Sequence, residues 1–212
     1  MKVMLVDDHA VVRTGFRLLL QAYADIEVMA EADSGEAACQ MYESVAPDVV
    51  VMDIAMAGMG GIEAIKRLVA KDAKARILAL SAHEDTSHPR RALQAGALGY
   101  LSKRSAPEVL IDALRAIAKG QRYLDAQIAQ RMAVQDIHGD KGPMDKLSPR
   151  EFEVFLQLAR GQSVAQISET LTLSSSTIGT HLYNNKQKLG LGNQAEMTLL
   201  AVRHGLIDVA AG

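Results

Sequence analysis

The feature that most constrains this chain is an alternation over its first 120 residues. Short apolar runs are separated by longer segments whose apolar residues recur at helical spacing. The runs at 2–6, 27–32, 49–52, 76–80 and 99–101 read as strands, and the segments at 9–21, 35–44, 61–70, 90–95 and 106–119 as helices. The runs are short and almost wholly apolar, as strands covered on both faces must be. Strands that alternate with helices pair in parallel, because each helix carries the chain back across the sheet. The expectation is an α/β fold: a doubly wound five-stranded parallel sheet of the flavodoxin-like order 2-1-3-4-5.

The pattern changes near residue 121, beyond which no further strand is evident. Residues 123–134 read as one more helix. Residues 135–146 (QDIHGDKGPMDK) hold two Gly, one Pro and three Asp with almost no apolar side chains, and read as an exposed linker. The remainder reads as four helices. Ser148-Pro149-Arg150-Glu151 places an N-cap Ser, a Pro at the first helical position and a Glu at the third, and Ser163 with Gln166 forms a second capping box. The turn Thr172-Leu173-Ser174 between the second and third helices is short enough for a helix-turn-helix. Three segments follow: 1–120, a helix and linker at 121–146, and a small all-α unit at 147–212.

Composition narrows the class. At 49% hydrophobic and 23% charged residues, the 212-residue chain is globular, not disordered. No apolar run approaches the roughly 20 residues that span a bilayer, and Asp7-Asp8 cut the opening apolar stretch before a signal-peptide core can form. A cytoplasmic protein with no membrane partner is expected. Cys39 is the single cysteine, which excludes an internal disulfide framework and a thiolate metal cluster. The net charge of -2 gives no bulk attraction for nucleic acid, so any DNA binding must be local.

Ligands of doubly wound sheets bind at the carboxyl ends of the strands, where strand order switches. Asp7 and Asp8 follow the first strand and Asp53 the third, its neighbour in the expected order. Carboxylates converging there repel one another unless a cation sits between them. A hard divalent ion is implied, and magnesium (Mg2+) fits best, being held by carboxylates, waters and phosphate oxygens. Ser81 after the fourth strand offers a hydroxyl, and Lys103 after the fifth a point charge suited to phosphate. Acids, metal, hydroxyl and ammonium together describe phosphoryl transfer, with Asp53 as the nucleophile that forms an acyl phosphate. Taken singly, an Asp after a strand is a helix cap; five suitable residues at successive strand ends outweigh that reading.

In the C-terminal unit, Ile178, Leu182 and Leu189 form the buried stripe of the third helix. At about 100° per residue this leaves Ser176, Thr180, Tyr183 and Gln187 on the opposite face. Residues 147–212 carry five basic and five acidic side chains, but no acid lies between Ser174 and Leu191, so this helix is locally positive. Ser174, Ser175, Ser176 and Thr177 could contact phosphate near the helix start, and Thr180, Tyr183, Asn184, Lys186, Gln187 and Lys188 complete the expected DNA-binding set.

LVDDH at the start, VVVMDIAMAGMGG around Asp53, LALSAHED around Ser81 and AGALGYLSK around Lys103 resemble the receiver domain of two-component response regulators. The stretch LSPREFEVFLQLARGQSVAQISETLTLSSSTIGTHLYNNKQKLGL resembles the LuxR/NarL/FixJ-type DNA-binding domain, so the resemblance covers nearly the whole chain. It implies that Asp53 accepts phosphate from a sensor histidine kinase. It further implies that Asp7, Asp8, Asp53 and the carbonyl of Ala55 hold magnesium, and that Ser81 and Tyr100 shift together on phosphorylation while Lys103 binds the phosphoryl group. A homodimer on double-stranded promoter DNA is implied as the phosphorylated form, with the third C-terminal helix in the major groove. AEADSGEAA, MAGMGG, AKGQRYLDAQIAQRMA and LLAVRHGLID are similar to the GacA/UvrY branch, which implies a BarA/GacS-like hybrid kinase upstream.

The sequence departs from the family pattern in two places. The loop after Asp53 has Ala57 and Gly60 where a proline and an acid are usual, and its glycines predict a mobile loop. In the third C-terminal helix Gly179 replaces a common lysine and Asn185 an apolar residue, which predicts weak DNA affinity for the isolated domain. Two further readings share the site residues. One is a receiver with a protein-binding output; the other is a magnesium-dependent aspartyl phosphatase, although Asp53-Ile54-Ala55 lacks the D-x-D such a nucleophile carries. On the main reading the chain is no enzyme beyond the receiver's own phosphorylation and dephosphorylation chemistry.

Overall fold

In the computed structural model the described residues are all but 57, 83–86, 139–141, 172, 205 and 208–212, with side chains also left aside at 135–138. The chain forms two compact units that divide between Gln130 and Arg131.

The first unit is a parallel sheet. Its strands are β1 (Lys2–Val6), β2 (Glu27–Ala32), β3 (Val49–Asp53), β4 (Ile77–Ser81), β5 (Gly99–Ser102) and β6 (Tyr123–Leu124), in the order β2-β1-β3-β4-β5-β6. Every pairing is parallel, and every residue of β3 and β4 is buried, as the near-continuous apolar runs require. The crossover helices are α1 (Ala10–Gln21), α2 (Gly35–Val45), α3 (Gly61–Lys71), α4 (Ser87–Ala95) and α5 (Pro107–Ala118), followed by α6 (Ala126–His138). Val3, Leu5, Val49, Val51, Leu78 and Leu80 join Leu20 of α1 and Leu110, Leu114 and Ile117 of α5 in one apolar cluster. By the strand alternation, Met4, Val50 and Met52 face the other side.

The core order 2-1-3-4-5 stands, but the sheet has a sixth strand. Tyr123–Leu124, expected to open a helix, pairs in parallel with Gly99–Tyr100, and the helix starts only at Ala126. The Asp125 carboxylate caps that helix by accepting the Gln127 N–H at 2.9 Å.

The second unit is helical: a 3₁₀ turn at Pro143–Lys146, then α7 (Pro149–Ala159), α8 (Val164–Leu171), α9 (Ser175–Leu189) and α10 (Gln194–Arg203). The caps read from sequence are in place. The Ser148 hydroxyl accepts the Glu151 N–H, and the Glu151 carboxylate accepts the Ser148 N–H at 2.7 Å. Gln166 and Ser163 make the equivalent pair, and Asn193 caps α10. Met144, Phe152, Phe155, Leu158, Ile167, Ile178, Met197 and Ala201 form the core. The segment expected to be an exposed linker is therefore not linker throughout. Helix α6 runs to His138, and Met144 is fully buried in this second core. One apolar residue among polar neighbours has no periodicity to mark it.

Candidate functional site

The carboxyl ends of four adjacent strands converge on one row of side chains. Asp53 is the last residue of β3 and Ser81 the last of β4, while Asp7 follows β1 and Lys103 follows β5. Asp7, Asp53 and Ser81 are buried despite being polar. The two buried acids are held by a shared cation. Lys103 Nζ lies 2.6 Å from Asp7 Oδ2 and 2.8 Å from Asp53 Oδ2, bridging the two acids. Asp53 Oδ1 accepts the Ala55 N–H at 3.0 Å, and Asp7 Oδ1 accepts the His9 N–H at 2.9 Å.

Burial raises the Asp53 carboxyl above its ordinary value, and Lys103 and the Ala55 amide pull it down without cancelling the effect. Burial also disfavours the Lys103 ammonium, but Asp53 and Asp7 outweigh it, so Lys103 holds its proton more tightly than a free lysine. Asp8 is more exposed and lies 2.7 Å from His9 Nδ1. Ligand atoms of Asp7, Asp8, His9 and Asp53 fall within 4.8 Å of one another. This set is rich in carboxylate oxygen and suits a hard divalent cation.

Ser81 and Tyr100 are both fully buried, on adjacent strands paired through Ala79 and Tyr100. The Lys103 N–H donates to the Ser81 carbonyl at 2.7 Å, which fixes the end of β5 against β4. Ala55 sits in the turn after Asp53 and meets it through its amide.

Three contributors escaped the reading from sequence. His9 closes the acid cluster, and Arg13 donates to the Asp7 carbonyl at 2.6 Å. Glu36 of α2 accepts the Met59 N–H at 2.8 Å and so anchors the glycine-rich loop after Asp53. That loop, expected to be mobile, is tied down at Met59; Ala57, in the usual proline position, lies outside the described residues. His9 could have been found from its place in LVDDH, whereas the contact between Glu36 and Met59 spans the fold and leaves no local mark.

In the second unit, Ser174, Ser175, Ser176, Thr180, Tyr183 and Gln187 are exposed along α9, and Thr177, Asn184 and Lys186 are half-buried. The Ser174 hydroxyl caps the helix by accepting the Thr177 N–H at 3.1 Å, and Thr180 donates to the Ser176 carbonyl at 3.1 Å. Lys188 differs from the rest of the set, because its ammonium lies 2.6 Å from the Glu151 carboxylate. Asn185 is fully buried and donates to the Glu151 carbonyl at 2.9 Å, which supplies a partner for the polar residue read as out of place.

Residues 3–115 match the response regulator receiver domain, and residues 145–201 match the bacterial regulatory proteins of the luxR family. The chain is 41% identical over 208 residues to the response regulator UvrY of Escherichia coli, covering 97% of this chain and 95% of that one. The chain belongs to the LuxR-type two-component response regulators, in the GacA/UvrY branch. The response regulator GacA of Pseudomonas aeruginosa is 38% identical over 212 residues, covering 99% of both chains. Among solved structures, RcsB of Salmonella enterica serovar Typhimurium, bound to a promoter in the presence of a beryllofluoride phosphomimetic, is 27% identical with a TM-score of 0.74 and covers 94% of this chain. This response regulator thus joins a receiver to a DNA-binding output, and its role is transcription regulation. A protein-binding output and a phosphatase are not favoured. Among the described residues no helix is long and apolar enough to cross a membrane.

Proposed function

We propose that Asp53 is the phosphoacceptor of this regulator and that its phosphorylation controls dimerisation and promoter binding by the second unit. The observation that carries the reading is the Lys103 ammonium, held between Asp7 and Asp53 at 2.6 and 2.8 Å. It neutralises an otherwise unfavourable buried pair and stands where negative charge would grow during transfer.

An Asp53 carboxylate oxygen attacks the phosphorus of a phosphohistidine on the kinase. The P–N bond breaks as the new P–O bond forms, and the leaving imidazole takes up a proton. The Ala55 amide orients the carboxylate, and Lys103 balances the charge of the acyl phosphate. Asp7, Asp8, Asp53 and the Ala55 carbonyl would hold magnesium, whose bound form supplies further neutralisation of phosphoryl oxygens. The carboxylate-rich cluster fits such an ion. Ser81 and Tyr100, buried on neighbouring strands, report the modified state to the receiver surface. Phosphorylation and dephosphorylation of the receiver itself are then its only covalent chemistry.

Ser174, Ser175, Ser176, Thr177, Thr180, Tyr183, Asn184, Lys186 and Gln187 form the face of α9 that meets the major groove. A BarA/GacS-like hybrid sensor is the phosphodonor we assign, with cytoplasmic residence. The test compares wild type with Asp53→Asn in sedimentation and DNA binding, with magnesium and beryllofluoride. Dimerisation and tighter binding by the wild type alone are expected; equal binding by both would overturn the reading.

A further inference from the structure

Resting on the proposed placement of α9 in the major groove, we infer that Asn185 and Lys188 are positioning residues that fix the register of α9 on α7 through Glu151, and that this register sets which base sequence α9 discriminates. Glu151 meets α9 at two points. Its backbone carbonyl accepts the Asn185 amide at 2.9 Å, and its carboxylate receives the Lys188 ammonium at 2.6 Å. The same carboxylate accepts the Ser148 N–H at 2.7 Å, so the latch is built on the first turn of α7 and on its capping box. Asn185 and Lys188 lie three positions apart, on one side of α9. Two bonds from one anchor to one helix face oppose both rotation and sliding.

Apolar contacts between helices tolerate such motions far better, because dispersion has no direction. A rotation of α9 by about 20° would move side-chain atoms on its far face by about 2 Å at a helix radius of about 5 Å. Hydrogen bonds to base edges survive only a few tenths of an ångström of such displacement. Thr180, Tyr183 and Gln187 lie on that far face.

Asn185 is a costly means of packing a core. Its side chain is fully buried, and its Oδ1 has no hydrogen-bond partner among the described residues. A leucine there would carry no polar atom of its own to satisfy. The amide supplies geometry that an apolar residue could not, in the way that single buried polar groups specify register elsewhere. The Lys188 charge is spent on Glu151, whose carboxyl falls to about 2: burial raises it, and Lys188 and Ser148 overcome the burial.

The experiment uses the full chain with magnesium and beryllofluoride. It measures binding to a duplex selected by the wild type from a random pool and to a scrambled duplex of the same composition. Asn185→Leu is expected to melt at or above the wild-type temperature while its preference for the selected duplex falls at least tenfold. Lys188→Gln is expected to lose preference as well, with an unchanged slope of log affinity against log salt. The proposal is overturned by an unchanged preference in either variant, or by an Asn185→Leu midpoint that falls in step with its preference. It is also overturned by a Lys188→Gln slope shallower by about 0.9, the signature of a lost phosphate contact.

Discussion

Gly61 begins α3 directly behind Asp53, and a Cβ there would stand 2.0 Å from the Asp53 carbonyl oxygen and 2.6 Å from the Ile54 Cα. Both neighbours are backbone and cannot swing aside. Gly61→Ala is therefore expected to cost about 3 kcal/mol, at the upper end of the overpacking range, and to slow phosphorylation of Asp53 by a small-molecule donor. A thermal melt and a phosphorylation time course check both. Gly179 is the opposite case, since a Cβ there meets nothing within 4 Å. Gly179→Lys should raise helix stability by about 0.5–1 kcal/mol and steepen the salt dependence of DNA binding by about 0.9 in log–log slope if the new charge reaches a phosphate. Titration of binding at several salt concentrations reads this directly. At this scale the sequence spoke for single residues only where a motif framed them. Asp7, Asp53, Ser81 and Lys103 were legible as strand-end chemistry, whereas Glu36 and Arg13 act through contacts with residues distant in sequence or with backbone atoms.

At the scale of elements, the capping boxes carry the clearest acid–base consequence. Glu151 sits well below its ordinary 4.5, at about 2. Its contribution to stability is complete above the ordinary value and is lost as the pH falls through the folded one. The advantage of wild type over Glu151→Gln, on the order of 2 kcal/mol near neutrality, should shrink as the pH drops from about 4.5 to about 2. Thermal midpoints of both proteins at pH 6 and pH 3 test the trend. Most elements could be read in advance because their signals are local: buried strands as apolar runs, helices as capped periodic segments. β6 could not, since two residues between Arg122 and Asp125 carry no period, and its pairing depends on where β5 ends. The burial of Met144 was hidden for the same reason, as a lone apolar side chain acquires meaning only from the core it joins.

For the molecule as a whole, chemistry and output occupy different compact units, one gathering charge at a sheet edge and the other presenting a polar helix face. A net charge of -2 gives the molecule no bulk attraction for DNA. That division makes the regulator separable in principle, and β6 decides where it should be cut. Tyr123 packs against the sheet core, and its carbonyl would lie 2.6 Å from a Cβ at Gly99, so β6 closes tightly over β5. A receiver fragment ending at Gly120 would expose the β5 backbone as a ready template for another chain, whereas one ending at Gln130 keeps its margin sealed by a strand only two residues long. The shorter fragment should aggregate on warming and the longer one remain monodisperse in light scattering, so the practical end of the receiver lies ten residues beyond the glycine that closes its last crossover helix.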